Sequence, residues 1–233
     1  MALSLDRQNT YRERYRQLKP GWRPASEVYE ALIRQSLQPG MRVLDIGCGR
    51  GGVLEQLGDA VTLPIGFDPD LASLREHRLL TLPRAAALSS ALPLPAESVD
   101  LALSSWVFEH LERPERTFAE LARVLRRGGR GLFLTPDARS LVVRLNRLLR
   151  PAQRWLVPRL YGRAEADTFP VRYLANTPRA LERLAETAGL HLERIVRIDD
   201  PTYLAFTPWL YRLSVLTSRV TPPVHLAGIL LKG

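Results

Sequence analysis

Residues 43–51 read Val43-Leu44-Asp45-Ile46-Gly47-Cys48-Gly49-Arg50-Gly51. Residues 42–46 have the pattern of a short buried strand, and the glycines after it allow the backbone to bend sharply and to approach a ligand closely. A helix is predicted to begin directly afterwards, at residues 53–57. Strand, glycine turn and helix form the first half of a βαβ unit, which indicates a parallel sheet.

Strands and helices alternate along most of the chain. Hydrophobic patterning predicts six further strands, at residues 65–68, 84–88, 99–104, 131–135, 191–198 and 226–231. Further helices are predicted at residues 6–37, with an interruption at 19–21, and at 71–80, 114–127 and 177–188. This order predicts an α/β fold with a doubly wound, mostly parallel seven-stranded sheet.

The composition is that of an ordinary globular protein. The 233 residues are 45% hydrophobic and 24% charged, which excludes a disordered chain, a collagen-like fibre and a disulfide-rich miniprotein. The single cysteine cannot form an internal disulfide, which fits a reducing compartment. The sequence has no uncharged apolar run of about 18 residues, and its N-terminus has no apolar core of signal-peptide length. We therefore expect a cytoplasmic protein.

The chain is strongly basic. Its 33 Lys and Arg residues exceed its 24 Asp and Glu residues, which gives a net charge of +9 and suggests an anionic partner such as nucleic acid, a membrane surface or an acidic substrate. Between Arg139 and Arg163 there are seven arginines and no acidic residue.

Asp45 discriminates between two ligands for the glycine turn. By spacing alone, Gly47, Gly49 and Gly52 also satisfy the dinucleotide pattern Gly-x-Gly-x-x-Gly. A carboxylate two residues before the first glycine would repel a pyrophosphate, whereas it would suit a cation such as an amino-acid ammonium. The pattern therefore favours a sulfonium-bearing amino-acid nucleoside over a dinucleotide, and the alternative is that Asp45 only caps the turn.

Asp68 ends the second predicted strand, 17 positions beyond Gly51. An acid at this place can accept hydrogen bonds from both hydroxyls of a ribose. The alternative is that Asp68 caps the next helix, although Asp70 is the better cap. Cys48 lies between two glycines, and we expect it to pack there because no activating base is evident nearby.

Four segments in this order resemble the class I S-adenosylmethionine-dependent methyltransferases, near the branch of ubiquinone and menaquinone biosynthesis. They are Val43–Gly51, Ile65–Pro69, Leu92–Asp100, and Val107–Leu111 followed by Arg123–Gly129. The resemblance covers residues 42–137 strongly and 169–190 more loosely. It implies S-adenosylmethionine as cofactor and no metal. The cofactor-binding residues that it implies are Asp45, Gly47, Cys48, Gly49, Gly51, Asp68, Pro69, Ser89 and Ser105.

One position departs from the family pattern. The family usually has an aspartate four residues before the Leu92-Pro93 pair, where it holds the exocyclic amine of adenine, and this chain has Leu88 there. Ser89 could replace part of that hydrogen bonding at lower strength. We therefore expect either a reduced cofactor affinity or an adenine ring that is held mainly by packing.

His110 is the candidate general base. It follows the fourth strand, and ligands of open α/β sheets bind outside the carboxyl ends of the strands. An imidazole with an ordinary pKa near 6.5 suits removal of a proton from an acceptor hydroxyl or acidic carbon. Two alternatives stay open: His110 is structural, or methyl transfer proceeds by proximity and orientation with no base.

We expect one domain over residues 1–233. It comprises an N-terminal helical arm at 1–41, a cofactor-binding core at 42–136 and helical lid insertions at 137–176 and 199–223. In the first insertion, leucines are predicted on one helical face and arginines on the other: Leu141, Leu145, Leu148 and Leu149 against Arg144, Arg147 and Arg150. In the second, helical spacing relates Phe206, Trp209, Leu210, Leu213 and Leu216.

These features favour a methyltransferase that acts on a small-molecule, apolar or lipid-linked acceptor. The arginines predict weak contact with an anionic membrane surface, at the inner face of the membrane. One alternative is a nucleic-acid methyltransferase, suggested by the charge, although no appended RNA-binding module is visible and we expect no nucleic-acid partner. Another is a non-catalytic membrane-surface protein that retains the fold, suggested by Leu88. If neither apolar insertion binds lipid, both are solvated lids that close on the domain.

Overall fold

The computed structural model describes residues 5–148 and 170–233 and contains one seven-stranded sheet. The order of the strands across it is β3-β2-β1-β4-β5-β7-β6. The strands are β1 (Arg42–Ile46), β2 (Leu63–Asp68), β3 (Arg84–Ala86), β4 (Val99–Ser105), β5 (Leu125–Pro136), β6 (Leu190–Ile198) and β7 (His225–Lys232).

Helices precede, connect and follow these strands. They are α1 (Leu5–Leu18), α2 (Ala25–Ser36), α3 (Val53–Leu57), α4 (Leu71–Arg75), α5 (Pro114–Val124), α6 (Leu141–Leu148), α7 (Pro178–Thr187) and α8 (Pro208–Thr217). Two 3₁₀ turns occupy Gly58–Ala60 and Pro201–Leu204. Among the described residues, no helix is long and apolar enough to cross a bilayer.

The register of the central strands places their carboxyl ends at one edge of the sheet. β1 pairs in parallel with β2 on one side and with β4 on the other, and β2–β3 and β4–β5 are parallel as well. Val43 and Leu44 are completely buried, as a central strand covered on both faces requires. The predicted doubly wound, mostly parallel sheet is confirmed, and β1 and α3 have the predicted bounds.

Two predicted helices are too long. The helix predicted over 114–127 ends at Val124, because Leu125 is extended and pairs with Val99 as the first residue of β5. The helix predicted over 71–80 ends at Arg75. The Arg84 guanidinium donates to the Leu74 carbonyl at the end of the helix and to three carbonyls of the following loop, which holds that loop in a non-helical path.

The chain divides into two compact units. One comprises Ser26–Thr135, Val171–Val196 and Leu226–Gly233, and it contains most of the sheet and the main hydrophobic core. Helix α5 packs onto that core through Phe118, Leu121 and Val124, and Pro114 lies at its first position, where no N–H is needed.

The other unit comprises the described residues of Met1–Ala25, Pro136–Pro170 and Arg197–His225. In it the rings of Tyr11 on α1 and Tyr211 on α8 lie 4.4 Å apart, and the Trp22 indole donates to the Asp199 carbonyl at 2.7 Å. The division into one domain with an arm and two lids stays a prediction.

The apolar face of α6 differs from the predicted leucine stripe. Val143 is the buried residue of this helix, whereas Leu141 and Leu148 are exposed. Leu149 and Arg150, which the prediction included, lie outside the described residues.

Candidate cofactor site

The glycine turn after β1 is built from close backbone contacts. The N–H groups of Gly47 and Cys48 both donate to the Phe67 carbonyl of β2, at 2.7 and 3.2 Å. Gly47, Gly49 and Gly51 have positive φ angles of 75°, 50° and 117°, which other residues rarely adopt. At Gly47 a Cβ atom would also overlap the side chain of Val107, so only glycine allows this approach.

Asp68 holds the turn against the end of β2. Its carboxylate accepts from the Gly49 N–H at 3.0 Å and from the Asp70 N–H at 2.8 Å. Asp70, rather than Asp68, caps α4, since its side chain accepts from the N–H groups of Ala72 and Ser73. Asp68 is buried with its carboxylate beside the turn, which leaves the ribose role open to it.

Asp45 is a buried carboxylate with no cationic partner among the described residues. Its side chain makes no hydrogen bond to another described residue, and it is only 4% exposed. Burial, followed by the nearby charge of Asp68, raises the pKa of Asp45 from 3.8 to about 7. A carboxylate that only capped the turn would accept hydrogen bonds from it. Asp45 instead lines an open cleft, where a cationic ligand would stabilise its charged form.

The predicted cofactor residues and the candidate base lie along two clefts that share Gly47. The first, of about 200 Å³, is lined by Ser26, Tyr29, Asp45, Gly47, Cys48, Gly51, Gly52, Val53, Gln56, Ser105, Trp106 and Leu134. The second, of about 420 Å³, includes Pro69, Leu88, Ser89, His110, Arg113 and Arg116. Gly49 and Asp68 lie beside the turn between them, joined by the hydrogen bond given above.

The second cleft contains Leu88, the residue that stands where the family usually has an aspartate. Leu88 is exposed and lines the cleft together with Phe67 and Pro69. The hydroxyl of Ser89 is hydrogen-bonded to that of Thr117 at 3.0 Å. An apolar wall with one engaged hydroxyl can hold a flat ring by packing.

His110 lines the second cleft with Ser89, whereas Ser105 lines the first. The sequence interpretation grouped His110 with the end of β4, on the acceptor side. In the structure the two side chains point toward different clefts, because a turn from 106 to 110 follows the strand and the His110 N–H donates to the Val107 carbonyl at 2.9 Å. Its role as a base stays a prediction.

Sequence analysis missed three residues of this region. Trp106 lines the first cleft with a left-handed backbone (φ 60°), and bulky residues rarely adopt that conformation. The buried Tyr29 hydroxyl donates to the Leu132 carbonyl at 3.0 Å and accepts from the Ser104 N–H at 2.9 Å. No local pattern marks either residue, since both depend on strands far away in the chain.

The third is Glu109, next to the candidate base. It is buried, its carboxylate accepts from the Thr135 hydroxyl at 3.1 Å, and burial raises its pKa from 4.5 to about 7. Within the described residues, no group of three or more His, Cys, Asp and Glu could hold a metal ion.

A family model described as a methyltransferase domain matches residues 44–133. A protein of Mycolicibacterium smegmatis named a probable S-adenosylmethionine-dependent methyltransferase is 35% identical over 113 residues, 47% of this chain and 43% of that protein. The mitochondrial ubiquinone biosynthesis O-methyltransferase of Mus musculus is 25% identical over 180 residues, 73% of this chain and 46% of that protein. The chain spans between 38% and 51% of the length of the first curated relatives that it matches.

Among solved structures, the fold is similar to that of a complex between the Trm112 methyltransferase activator of Haloferax volcanii and its methyltransferase. The TM-score is 0.67 at 19% identity, over 97% of this chain and 94% of that one. The glycine turn, the strand order and the relatives all indicate a methyltransferase fold. Residues 44–133 therefore match a methyltransferase domain, and the relatives indicate S-adenosylmethionine as its cofactor.

Proposed function

We propose that this protein transfers a methyl group from S-adenosylmethionine to a small-molecule acceptor that is apolar or lipid-linked. The observation that carries the proposal is Asp45, a buried carboxylate that faces a cleft at the glycine turn and has no partner within residues 5–148 and 170–233. S-adenosylmethionine carries two positive groups, an ammonium and a sulfonium, and it supplies an electrophilic methyl group on the latter. Few other small cofactors carry a positive charge that would stabilise a carboxylate at this position.

Each residue of the site then has a defined task. Asp45 becomes fully ionised when the ammonium group is bound beside it, because an opposite charge favours the carboxylate form. Asp68 accepts from the ribose hydroxyls while it continues to hold the Gly49 N–H. Pro69 and Leu88 pack against adenine in the second cleft, with Ser89 at its edge.

The acceptor would enter beside Ser105 and Trp106 at the end of β4. An indole at the mouth of the first cleft favours an apolar or aromatic acceptor over a flat polyanion. The mouse relative is named for ubiquinone biosynthesis, which supports the same class of acceptor. In this proposal His110 acts as a base only for an acceptor that extends past Gly47 into the second cleft, which His110 lines.

The same proposal locates the protein in the cytoplasm, with weak contact to the inner face of an anionic membrane. The two described arginines of α6, Arg144 and Arg147, are exposed. Each arginine near an anionic surface contributes about 1 kcal/mol before screening, so this contact would be reversible and sensitive to salt.

Calorimetric titration tests the cofactor assignment. Asp68→Ala should weaken S-adenosylmethionine binding by about 10- to 150-fold, because it removes charge-assisted hydrogen bonds worth about 1.5–3 kcal/mol. Asp59→Ala is the matched control, since Asp59 is exposed in the 3₁₀ turn after α3, and it should bind as the wild type does.

Two results would reject the proposal. Unchanged affinity in Asp68→Ala would remove the ribose assignment, and tighter binding of NADH than of S-adenosylmethionine would remove the class. Binding of S-adenosylmethionine and its demethylated product without turnover on any apolar acceptor would instead favour a non-catalytic protein.

A further inference from the structure

Helix α8 exposes its apolar face and buries a more polar one. Trp209, Leu213 and Leu216 are spaced four and three residues apart and so share one face of the helix. They are 63%, 48% and 63% exposed, and Val220 in the following turn is 85% exposed. A surface helix normally buries such residues against the core, so an exposed apolar face of this kind indicates a binding surface.

The opposite face of α8 fixes its orientation. The Tyr211 ring lies against Tyr11, and its hydroxyl donates to the Tyr11 carbonyl at 3.3 Å. Ser214 is buried on the same side, and the Thr207 hydroxyl caps the helix by accepting from the Leu210 N–H at 3.3 Å. The helix is therefore held by its inner face, and the outer stripe does not fold back onto α1.

The charged residues of the segment that carries the stripe, 201–225, all have one sign. Arg212 and Arg219 flank it, and neither makes an ion pair within residues 5–148 and 170–233. Residues 201–225 contain no Asp or Glu. Apolar side chains that include a tryptophan, with arginines as their charged neighbours in sequence, match the acyl boundary and the anionic headgroups of a bilayer.

Helix α6 lies beside α8. Its Leu141 and Val142 line a cleft together with Ser214 and Thr217 of α8, so the two helices are neighbours. Residues 138–148 also contain no acid, and Leu148 is 76% exposed. Arginines and exposed leucines thus occur on both helices.

We propose that the outward face of α8 is a membrane-docking surface that inserts Trp209, Leu213, Leu216 and Val220 into the interface of an anionic bilayer. This proposal rests on the proposed function, because a lipid-linked acceptor must be reached at a membrane. A second copy of the chain is a poorer occupant. Four such side chains cover a few hundred Å², below the roughly 800 Å² per partner of a stable interface, and their arginines would repel each other.

The first test is sedimentation with liposomes of phosphatidylcholine alone or mixed with phosphatidylglycerol. The double variant Leu213→Ser/Leu216→Ser should lose about tenfold or more in partitioning onto the anionic vesicles, since two buried leucine side chains return to water. Leu63→Ser/Leu80→Ser is the matched control, because those leucines are 53% and 79% exposed but lie in the unit that contains the sheet. The control should partition as the wild type does.

A second variant separates charge from insertion. Arg212→Gln/Arg219→Gln should weaken binding to anionic vesicles at low salt and should bring it close to the wild-type level measured at 1 M salt, where the Debye length is about 3 Å. The depth of insertion is read from quenching by brominated lipids. The protein has four tryptophans, and Trp155 lies outside the described residues, so the assay uses a Trp155→Phe background. In that background Trp209→Phe should abolish most of the quenching, because Trp22 and Trp106 are not part of the proposed surface.

Failure of this inference is distinguishable from failure of the proposed function. The docking surface is overturned if the wild type stays in the supernatant at low salt, or if the leucine double variant partitions unchanged. It is also overturned if ultracentrifugation shows a dimer that the leucine substitutions dissociate. S-adenosylmethionine titration in the absence of vesicles tests the cofactor site alone, and the α8 variants should bind it with wild-type affinity.

Discussion

Replacing Asp45 with asparagine should stabilise the folded protein above pH 7 and at the same time weaken its binding of S-adenosylmethionine. Asp45 is buried, and burial followed by the charge of Asp68 raises its pKa to about 7. Asparagine is nearly isosteric with aspartate and neutral at every pH. The substitution therefore removes the cost of a buried charge and leaves the packing in place.

The sign and size of the stability effect follow from the pKa. The folded-state pKa of Asp45 lies above the unfolded value of 3.8. At pH values between 3.8 and about 7, the folded protein therefore keeps a proton on Asp45 that the unfolded chain has lost. The contribution of Asp45 to stability is complete below pH 3.8 and is lost as the pH rises through about 7. At about 1.4 kcal/mol per pKa unit, the loss approaches about 4 kcal/mol at pH 8. Asp45→Asn should regain much of it there and little below pH 4.

Cofactor affinity should change in the opposite direction. At pH 8 the wild-type carboxylate is ionised and available to the ammonium group, and losing a charge-assisted contact costs about 1.5–3 kcal/mol, or 10- to 150-fold in affinity. Below pH 7 the wild type must release a proton to bind. Its calorimetric enthalpy should therefore depend on the ionisation enthalpy of the buffer, and that dependence should vanish in Asp45→Asn.

Urea unfolding and calorimetry between pH 5.5 and 8.5 measure both effects. Glu109→Gln is the control, because burial also raises the pKa of Glu109 to about 7 and its stability effect has the same sign. That variant should alter the pH dependence of stability without altering cofactor affinity. If Asp45→Asn is less stable than the wild type at pH 8, or binds S-adenosylmethionine equally well, the assignment of Asp45 is wrong.

Three further substitutions test the site. His110→Ala should lower the methyl-transfer rate by about 10²–10⁴ with little change in calorimetric cofactor affinity, and a folded, fully active variant would leave His110 only a structural role. Gly47→Ala should lower the free energy of unfolding by about 2–3 kcal/mol, because Gly47 has a φ of 75° and an added Cβ would overlap Val107. Gly52→Ala should be tolerated, because an added Cβ there meets nothing within 4 Å, and equal urea midpoints of the two variants would contradict this. Trp106→Gly should be about 1 kcal/mol more stable than Trp106→Ala, because glycine relieves the left-handed backbone, and equal stabilities would show that no strain is stored there.

Local patterns were enough to predict β1, the glycine turn after it and the cap of α4. The buried run of β1 and the glycines after it depend on neighbouring residues alone, and Asp70 was predicted as the better cap of α4 by the same kind of reasoning. The end of α5 was not predictable in this way. Arg126 and Arg127 would suit a helix C-terminus, but pairing of Leu125 with the distant Val99 draws these residues into β5.

The arrangement of the site needed the three-dimensional structure. Sequence placed His110 near the end of β4, but the direction in which its side chain points depends on the turn that follows. The outward stripe of α8 was visible as helical spacing, and the spacing is the same whether the face is buried or exposed. Packing of Tyr211 against Tyr11 decides between the two, and those residues are 200 positions apart.

The two edges of the sheet differ in one buried carboxylate, and this difference marks the ligand face. At the amino ends of the strands, Asp100 accepts from the Arg42 N–H at 2.6 Å and pairs with Arg126 at 2.7 Å. At the carboxyl ends, Asp45 is buried with no cation beside it in the part of the chain that the structure describes, and Trp106 has a left-handed backbone. Such costs persist only where the surrounding structure enforces them, and they concentrate at functional sites. A bound cation beside Asp45 would recover part of the cost, so cofactor binding and stability should rise together in this domain.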